Sequence, residues 1–355
     1  MTDKQFIRRL QARGTDQQVR PALELLAEQL HDGWRQLSNI KIPATYCQVK
    51  NVAICGMGGS HLGADICRAI WSDRLSVPIN VISDYQLPRW VNRQSLVICS
   101  SYSGSTEETI AALTMARQRG AKIIVIASGG QLIKRAGRVP IYRFNPTANP
   151  SGQPRLGIGY SLAALLSIFR RLGWITHSQA EHDRLVATAH RASQKYGPRH
   201  TGSANQAIHL ARAWDGGVPL LIGAEWTAGN LQTFQNQIHE NAKTFAAFFM
   251  LPDLNHHLLE GLRNRRLNRQ IRVLTIDDQT YQPRNYQRLQ LTKKILTDAG
   301  CQVDSFKPHG HTNLEKAIDL LTFGGYVSWY LAVVRGVRPA PIPTVDFLKA
   351  QLAKH

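Results

Sequence analysis

The chain has 355 residues, 43% of them hydrophobic, which is enough for more than one globular core. Its apolar stretches are of strand length and are interrupted by glycine or charge, and Met1 to Gln5 lack the apolar segment of a secretion signal. The five cysteines are odd in number, and two of them lie in strand-like runs, where small buried thiols are common. We therefore expect a cytoplasmic protein of two domains with no membrane partner.

Lysine and arginine number 43 against 24 for aspartate and glutamate, which gives a formal net charge of +19. Such a balance ordinarily indicates a nucleic-acid partner. The arginines are scattered, however, and the densest cluster, at 263–269, stands just before a strand pattern. A solvated surface explains that cluster better than a base-reading element, so we expect no nucleic-acid partner. The positive field would concentrate a dianionic small substrate.

The predicted elements begin with apolar positions at helical spacing over residues 4–38, which predict two helices forming an N-terminal arm. After Pro43 the pattern alternates between strands (52–55, 77–82, 96–99, 122–127) and helices (63–71, 106–118, and an apolar helix at 156–169). A second alternation has strands at 219–222, 271–276 and 302–306 and helices at 204–214, 228–247, 285–299 and 313–334. Such alternation predicts parallel sheets covered by helices on both faces.

Two stretches share the order of strand, glycine, short polar turn and helix. They are VAICGMGGSHLGADI at 52–66 and PLLIGAEWTAGNLQ at 219–232. This order predicts two copies of one α/β unit. We expect a helical arm at 1–45, a first domain at 46–200 and a second at 201–355, joined through the polar region 176–203.

Two turns rich in small residues follow predicted strands of the first unit. One is Gly56 to Ser60 (GMGGS), and the other is Ser101 to Thr106 (SYSGST), just before a helix. Glycine lets backbone approach a ligand closely, and the helix start offers unpaired N–H groups. Because a P-loop lysine and a full dinucleotide fingerprint are missing, these turns predict a site for a phosphomonoester. Taken alone, the second turn fits a serine N-cap equally well.

Two charged residues are of a catalytic type. Arg155 ends the polar loop 149–155, and a fixed guanidinium there could stabilise negative charge developing on an oxygen. Glu240 stands in QIHENAK on a predicted helix and is a candidate base. Each has an ordinary alternative: a surface ion pair for Arg155, and a solvated glutamate pairing with Lys243 for Glu240.

The turn after that helix holds a candidate proton-transfer group, His256. A metal bound by His256, His257 and Glu260 is disfavoured, because adjacent histidines diverge and the H-E-x-x-H spacing is missing. His309 and His311 flank a glycine and fit a flexible polar turn. We therefore expect no metal.

The motifs GMGGS, SYSGST, SGQPR, HENAK and PDLNH, in this order, resemble the bifunctional phosphoglucose/phosphomannose isomerase family, which is built from two SIS domains. The resemblance runs from about residue 45 to the C-terminus, and His256 follows Glu240 by 16 positions, as the family motif does. It implies an α/β fold with two flavodoxin-like, doubly wound domains. It also implies reversible isomerisation of glucose 6-phosphate and fructose 6-phosphate, with mannose 6-phosphate accepted.

The resemblance also implies roles for individual residues. Glu240 would move a proton between C2 and C1 through a cis-enediol, Arg155 would stabilise that intermediate, and His256 and Lys349 would assist ring opening. His256 would reach the site from a neighbouring subunit, so a homodimer is implied. The reaction needs no cofactor, because the proton leaves one carbon and returns to the next. The phosphate and neighbouring hydroxyls would be held by Gly58, Gly59, Ser60, Ser101, Ser103 and Thr106.

Several positions depart from the family pattern. His239 stands where asparagine is usual, Leu156 where alanine is usual, and Ala340 where we expect a threonine that makes room for the mannose epimer. After His256, the pair His257-Leu258 stands where the family has Asn-Glu. Three alternatives remain: a SIS-domain regulator that senses a sugar phosphate, an inactive paralogue, and an isomerase of amino-sugar or pentose phosphates. The regulator would need a helix-turn-helix domain ahead of the first unit, a pattern that the arm does not carry.

Overall fold

The structure is a computed structural model that describes residues 5–6, 8–9, 18–36, 40–199 and 204–354. The first helices whose bounds lie within the described residues are α1 (Val19–Glu24) and α2 (Leu26–Gln36). They confirm that helices open the fold, while most of the predicted arm before residue 18 lies outside the described residues. The α2 helix packs closely on a later helix, because a Cβ at Gly33 would lie only 2.8 Å from the Cβ of Ala163.

The first sheet has five parallel strands in the order β2-β1-β3-β4-β5. All seven residues of β3 are buried, as in a central parallel strand covered on both faces. The sequence prediction missed β5 and α5, which are too short to show a clear period. The strands are β1 (Asn51–Cys55), β2 (Ile79–Ile82), β3 (Ser95–Ser101), β4 (Lys122–Ala127) and β5 (Ile141–Arg143), and the helices are α3 (Leu62–Trp71), α4 (Glu107–Gln118), α5 (Gly130–Ala136) and α6 (Ile158–Arg171).

A long connecting helix, α7 (Gln179–Tyr196), begins with a capping box formed by Ser178 and Glu181. Beyond it, the second sheet has four parallel strands in the order β7-β6-β8-β9. The strands are β6 (Val218–Ala224), β7 (Ala247–Leu251), β8 (Ile271–Ile276) and β9 (Gln302–Phe306), and the helices are α8 (Gln206–Ala213), α9 (Ala228–Ala242), α10 (Arg265–Asn268), α11 (Pro283–Asp298), α12 (Asn313–Arg335) and α13 (Pro343–Leu352).

The two sheets repeat one topology, since β2-β1-β3-β4 corresponds strand for strand to β7-β6-β8-β9. The α/β class and its two parallel sheets are thereby confirmed. The residue boundaries of the two domains stay a prediction. In each sheet the second strand lies on one side of the first strand and the third strand on the other, so the strand order reverses between the first and third strands. Ligands of such folds bind at the carboxyl ends of those two strands.

One predicted helix, 228–247, is wrong at its end. Helix α9 stops at Ala242 because Lys243 adopts a left-handed conformation with φ of 51°. The apolar run from Ala247 to Leu251 then forms the edge strand β7. Helical spacing and a short buried strand look alike over five apolar residues, so periodicity could not place this break.

The long helix α12 forms the centre of the second half. All of its residues from Leu314 to Val334 are buried. By length and composition alone this helix could cross a membrane, but its apolar window is wholly buried inside the protein, as in the core helix of a globular fold. A Cβ at Gly324 would lie 2.8 Å from the ring of Phe234 on α9, so the glycine permits close packing of the two helices.

Candidate active site

Two turns meet at the carboxyl ends of β1 and β3. The first is a short 3₁₀ turn over Gly58–Ser60, with Gly58 at a φ of +50°. The Ser60 hydroxyl accepts a hydrogen bond from the amide of Tyr102 at 2.9 Å, and the Ser100 hydroxyl donates to the carbonyl of Ser60 at 2.9 Å. The two turns that the sequence singled out therefore form one connected surface.

The second turn arranges its hydroxyls around the start of α4. Ser101 Oγ lies 2.8 Å from Thr106 Oγ1, and the amide of Gly104 donates to Ser101 Oγ at 3.1 Å. Thr106 occupies the N-cap position, but its side chain makes no capping bond to α4. The serine N-cap left open by the sequence is therefore not formed. Ser103 is exposed at the rim, and its hydroxyl accepts from the amide of Ser105 at 3.3 Å.

The Gly58–Ser60 turn also touches the loop that carries Arg155. A Cβ at Gly59 would lie 2.4 Å from the backbone nitrogen of Arg155, so only glycine permits this approach. Tyr102 holds the same loop by accepting a hydrogen bond from Asn149 Nδ2 at 2.8 Å. Burial raises the pKa of Tyr102 to about 12, which keeps its hydroxyl protonated.

Arg155 lies at the centre of the site and is only 1% exposed. Its Nε donates to Asn241 Oδ1 at 2.7 Å, and its Nη1 donates to Gln153 Oε1 at 2.8 Å and to Glu240 Oε2 at 2.9 Å. Its Nη2 donates to the carbonyls of Pro339 and Ala340 at 2.9 and 3.0 Å. The guanidinium is thus fixed in position on all sides. The surface ion pair considered for Arg155 is wrong.

Glu240 lies in the last turn of α9, with its side chain 27% exposed beside the buried guanidinium. Lys243 contacts the backbone at this end of the helix: its Nζ donates to the carbonyl of Glu240 and, at 3.2 Å, to the carbonyl of Pro339. The carboxylate therefore faces both a fixed cation and solvent, as a group that must reach a substrate proton would.

His256 and Lys349 lie apart from this pair within one chain. His256 ends a 3₁₀ turn after β7 and is exposed. Lys349 is exposed on α13, a helix with no buried residue. Among the residues that the structure describes, neither side chain has a hydrogen-bond or ion-pair partner. The structure thus joins the two glycine and hydroxyl turns, Arg155 and Glu240, but leaves these two residues outside.

The departures from the family pattern occupy definite places. His239 Nε2 lies 2.9 Å from the carbonyl oxygen and 3.1 Å from the amide nitrogen of Ala246, so the imidazole contacts the following loop and not the Glu240 carboxylate. Leu156 is buried in the hydrophobic core. Ala340 contributes its carbonyl to Arg155. Over the described ranges, no three His, Cys, Asp or Glu side chains lie together as metal ligands would.

The sequence prediction missed the residues that hold Arg155. Asn241 is fully buried and also donates from Nδ2 to Ser328 Oγ at 2.9 Å. Gln237 donates from Nε2 to the carbonyl of Arg155 at 3.2 Å. Gln153 and Asn241 lie inside the SGQPR and HENAK motifs, so the motifs signalled them. The two carbonyls at 339 and 340 had no signal, because any residue type supplies a carbonyl.

Comparison with known proteins identifies relatives of this chain. Residues 203–352 match the family model of the bacterial phospho-glucose isomerase C-terminal SIS domain. The bifunctional phosphoglucose/phosphomannose isomerase of Caldicellulosiruptor bescii is 32% identical over 332 residues, which cover 93% of this chain and 97% of that protein. The enzyme of the same name from Aquifex aeolicus is 31% identical over 310 residues, covering 86% and 91%.

The fold is shared with solved structures. A hypothetical protein from Thermus thermophilus superposes with a TM-score of 0.74 at 16% identity, over 99% of this chain and 94% of that one. At that identity the likeness concerns the fold alone. With relatives above 30% identity over nearly the whole chain, the chain belongs to the bifunctional phosphoglucose/phosphomannose isomerase family.

Proposed function

We propose that this chain interconverts glucose 6-phosphate and fructose 6-phosphate, and also accepts mannose 6-phosphate. The observation that carries the proposal is the Glu240 carboxylate, partly exposed and 2.9 Å from the buried Arg155 guanidinium. An aldose-ketose isomerase needs a base that reaches a carbon-bound proton and a fixed cation that stabilises the resulting oxyanion. Both groups stand at the sheet edge that carries the hydroxyl turns.

In this mechanism the phosphate anchors one end of the open-chain sugar. The hydroxyls of Ser101, Ser103 and Thr106 and the amides at the start of α4 bind it, with the turn at Gly58–Ser60 completing the cradle. Glu240 then removes the proton from C2 and returns it to C1 through a cis-enediolate, while the hydroxyl proton on O2 passes to O1. Arg155 keeps its proton throughout and neutralises charge on the enediolate oxygens.

We further propose that the protein is a homodimer in which His256 of one subunit completes the other's site and, with Lys349, assists ring opening. His256 is exposed and unpartnered in the described residues, as would suit a group that acts across an interface. Helix α13 supports the same proposal, because Phe347 and Leu348 are 65% and 57% exposed on it. Exposed apolar side chains on an unpartnered helix mark an association surface.

We propose that the reaction takes place in the cytoplasm and serves glycolysis and gluconeogenesis. All five cysteines are free thiols, which suits a reducing compartment.

We propose a sugar phosphate as the ligand and no nucleic acid. A mobility-shift assay with duplex DNA tests the rival role as a sugar-phosphate-sensing regulator, since tight binding would favour the regulator.

The decisive experiment is a coupled assay of the purified chain with glucose 6-phosphate and mannose 6-phosphate in turn. We expect turnover of both. If neither aldose phosphate is converted, the proposed function is wrong. If only the glucose compound is converted, the mannose part is wrong, and the alanine at position 340 becomes the residue to exchange. Light scattering on the same sample tests the dimer, which a monomer would contradict.

A further inference from the structure

A second cavity lies outside the site described above, at the amino end of β6. Its volume is about 890 Å³, within the range of small-molecule sites. Three segments line it: the N-terminal segment through Gln5, Arg8 and Arg9, the turn and strand start at 215–218, and the end of α12 at Val334 and Arg335. None of the proposed catalytic or cradle residues belongs to this lining.

The charge of the lining is strongly unbalanced. Among the described residues, its lining has three arginines, Arg8, Arg9 and Arg335, against one acidic residue, Asp215. Arg9 donates to the carbonyl of Val334, and Arg335 donates from Nη2 to the carbonyl of Gly217 at 3.2 Å, both neutral acceptors. Arg8 makes no hydrogen bond or ion pair with any described residue. Among the residues that the structure describes, three arginines therefore line one space, and none of them is paired with a carboxylate.

The wall of this cavity is anchored to the core. Phe6 is only 2% exposed, and its ring packs against Tyr330 of α12 with 6.0 Å between centroids. The guanidinium carbon of Arg212 lies 4.9 Å from the centre of the Phe6 ring. Such packing, with its cation–π contact, holds the N-terminal segment against the second half of the molecule. The arginines at 8 and 9 are thus presented at a fixed wall.

We propose that this cavity binds a small molecule carrying a di- or triphosphate group. Guanidinium groups bind phosphate through paired, charge-assisted hydrogen bonds, and three of them match a ligand with several phosphate oxygens. A polyanion also relieves the mutual repulsion of the three arginines. The net charge of +19 would raise the local concentration of such a ligand.

The cavity is connected to the catalytic pair by short covalent and hydrogen-bonded paths. Arg335 Nη1 donates to Thr244 Oγ1 at 2.6 Å, and Thr244 follows the end of the helix that carries Glu240. A few residues after Arg335, the carbonyls at 339 and 340 accept from Arg155. A ligand that reorients Arg335 would act on both members of the pair. This consequence rests on the proposed function, whereas binding itself does not.

The test is calorimetric titration of the full chain with inorganic triphosphate and, separately, with magnesium-free adenosine triphosphate. Both titrations use saturating fructose 6-phosphate, which fills the hydroxyl cradle. We expect one ligand per chain. Arg8→Gln should weaken binding about tenfold, the value of one charge-assisted hydrogen bond. Arg93→Gln is the matched control, because Arg93 is exposed and likewise without a partner among the described residues.

Each outcome of these titrations either supports or overturns the proposed phosphate site. Tighter binding of adenosine triphosphate would indicate a nucleoside polyphosphate as the natural ligand, and equal or tighter binding of inorganic triphosphate would indicate an inorganic one. The proposal is overturned if neither probe binds in the presence of fructose 6-phosphate, or if the two variants weaken binding equally. A prior titration with fructose 6-phosphate alone separates failure of the proposed function from failure of this cavity.

Discussion

At the carboxyl ends of β1 and β6 the chain makes the same short turn, with a left-handed residue at Gly58 (φ +50°) in one and at Glu225 (φ 54°) in the other. In the first sheet the turn faces the hydroxyls that precede α4. In the second, the Glu225 carboxylate occupies the corresponding place. Its Oε1 accepts from the amide of Gln282 and from Asn285 Nδ2, both at 2.8 Å and both at the start of α11.

A buried ion pair closes the second edge further. Asp278, just after β8, accepts from Lys316 Nζ at 2.9 Å and from Trp226 Nε1 at 3.0 Å. Burial raises the pKa of Asp278, but hydrogen bonds from Lys316 and Thr280 outweigh burial and hold that pKa below its ordinary value. The same topology therefore yields an edge lined by neutral donors in one copy and an edge filled by the chain's own carboxylates in the other.

The largest expected effect concerns the two glutamates. Glu240→Gln removes the proposed base, so kcat in the coupled assay should fall by about a thousandfold or more, while fructose 6-phosphate still binds in a calorimetric titration. Glu225→Gln keeps an acceptor for α11 and should leave kcat within about twofold. Normal turnover by the Glu240→Gln variant would contradict the proposed mechanism.

The next prediction makes the first edge resemble the second. Gly58→Glu places a carboxylate at a left-handed position whose Cβ would meet nothing within 4 Å. Repulsion between this carboxylate and the phosphate should raise KM about a hundredfold. Gly58→Asn, which tolerates the same backbone without charge, should raise KM far less. Equal KM values for the two variants would contradict the placement of the phosphate.

The second edge should instead depend on its ion pair for stability. Lys316→Met leaves the buried Asp278 carboxylate without its cation and should lower the free energy of unfolding by about 3 kcal/mol. Lys293→Met removes a half-exposed pair with the neighbouring Asp277 and should cost less than about 1 kcal/mol. Urea titration of both variants measures the difference, and similar values would show that burial of the pair is unimportant.

A matched pair of threonines separates binding from stability. Thr106→Val removes a hydroxyl from the proposed cradle and should raise KM by about tenfold, the value of one hydrogen bond to a charged group. Thr280→Val removes a hydroxyl that accepts from Lys316 at 2.7 Å in the second edge. This variant should lower the melting temperature and leave KM within about twofold. A raised KM in Thr280→Val and a lowered melting temperature with normal KM in Thr106→Val would contradict the roles assigned to the two edges.

The smallest effect concerns support of the first edge by α2. Gln29 on this helix donates to the carbonyl of Leu156 at 2.7 Å, and His182 holds α2 by its contact with Leu30 O at 3.1 Å. Burial, followed by the neighbouring His177, lowers the pKa of His182 to about 4, so between that value and about 6.5 the unfolded chain binds more protons.

The contribution of neutral His182 to the free energy of unfolding should therefore be nearly complete at pH 7. It should fall by about 1–2 kcal/mol as the pH drops from 7 to 5. His182→Gln should flatten this part of the profile in urea titrations, whereas His190→Gln, at an exposed position, should not. An unchanged slope in the His182 variant would assign the acid sensitivity to other groups.

Much of the fold could be predicted because local sequence patterns encode it. The central strands of both sheets, most of the helices between them and the repeated unit follow from apolar runs and helical periods. The short β5 and α5 were not predictable, since too few residues carry the pattern. The end of α9 was missed because the left-handed Lys243 ends the helix just before an apolar run that continues into β7, and helical spacing and a short strand look alike over so few residues.

For the site, the sequence by itself determined which chemical groups are available: the two turns, the arginine at 155 and the carboxylate at 240. Local spacing shows that each group could act. It does not show that Arg155 and Glu240 meet, because these two residues are 85 positions apart. Only the packing of the two halves brings them to 2.9 Å and surrounds the guanidinium with Asn241 and the carbonyls at 339 and 340. The same packing decides that one sheet edge stays open while Glu225 fills the other, since Glu225 is distant in sequence from the start of α11 and only tertiary structure brings the two together.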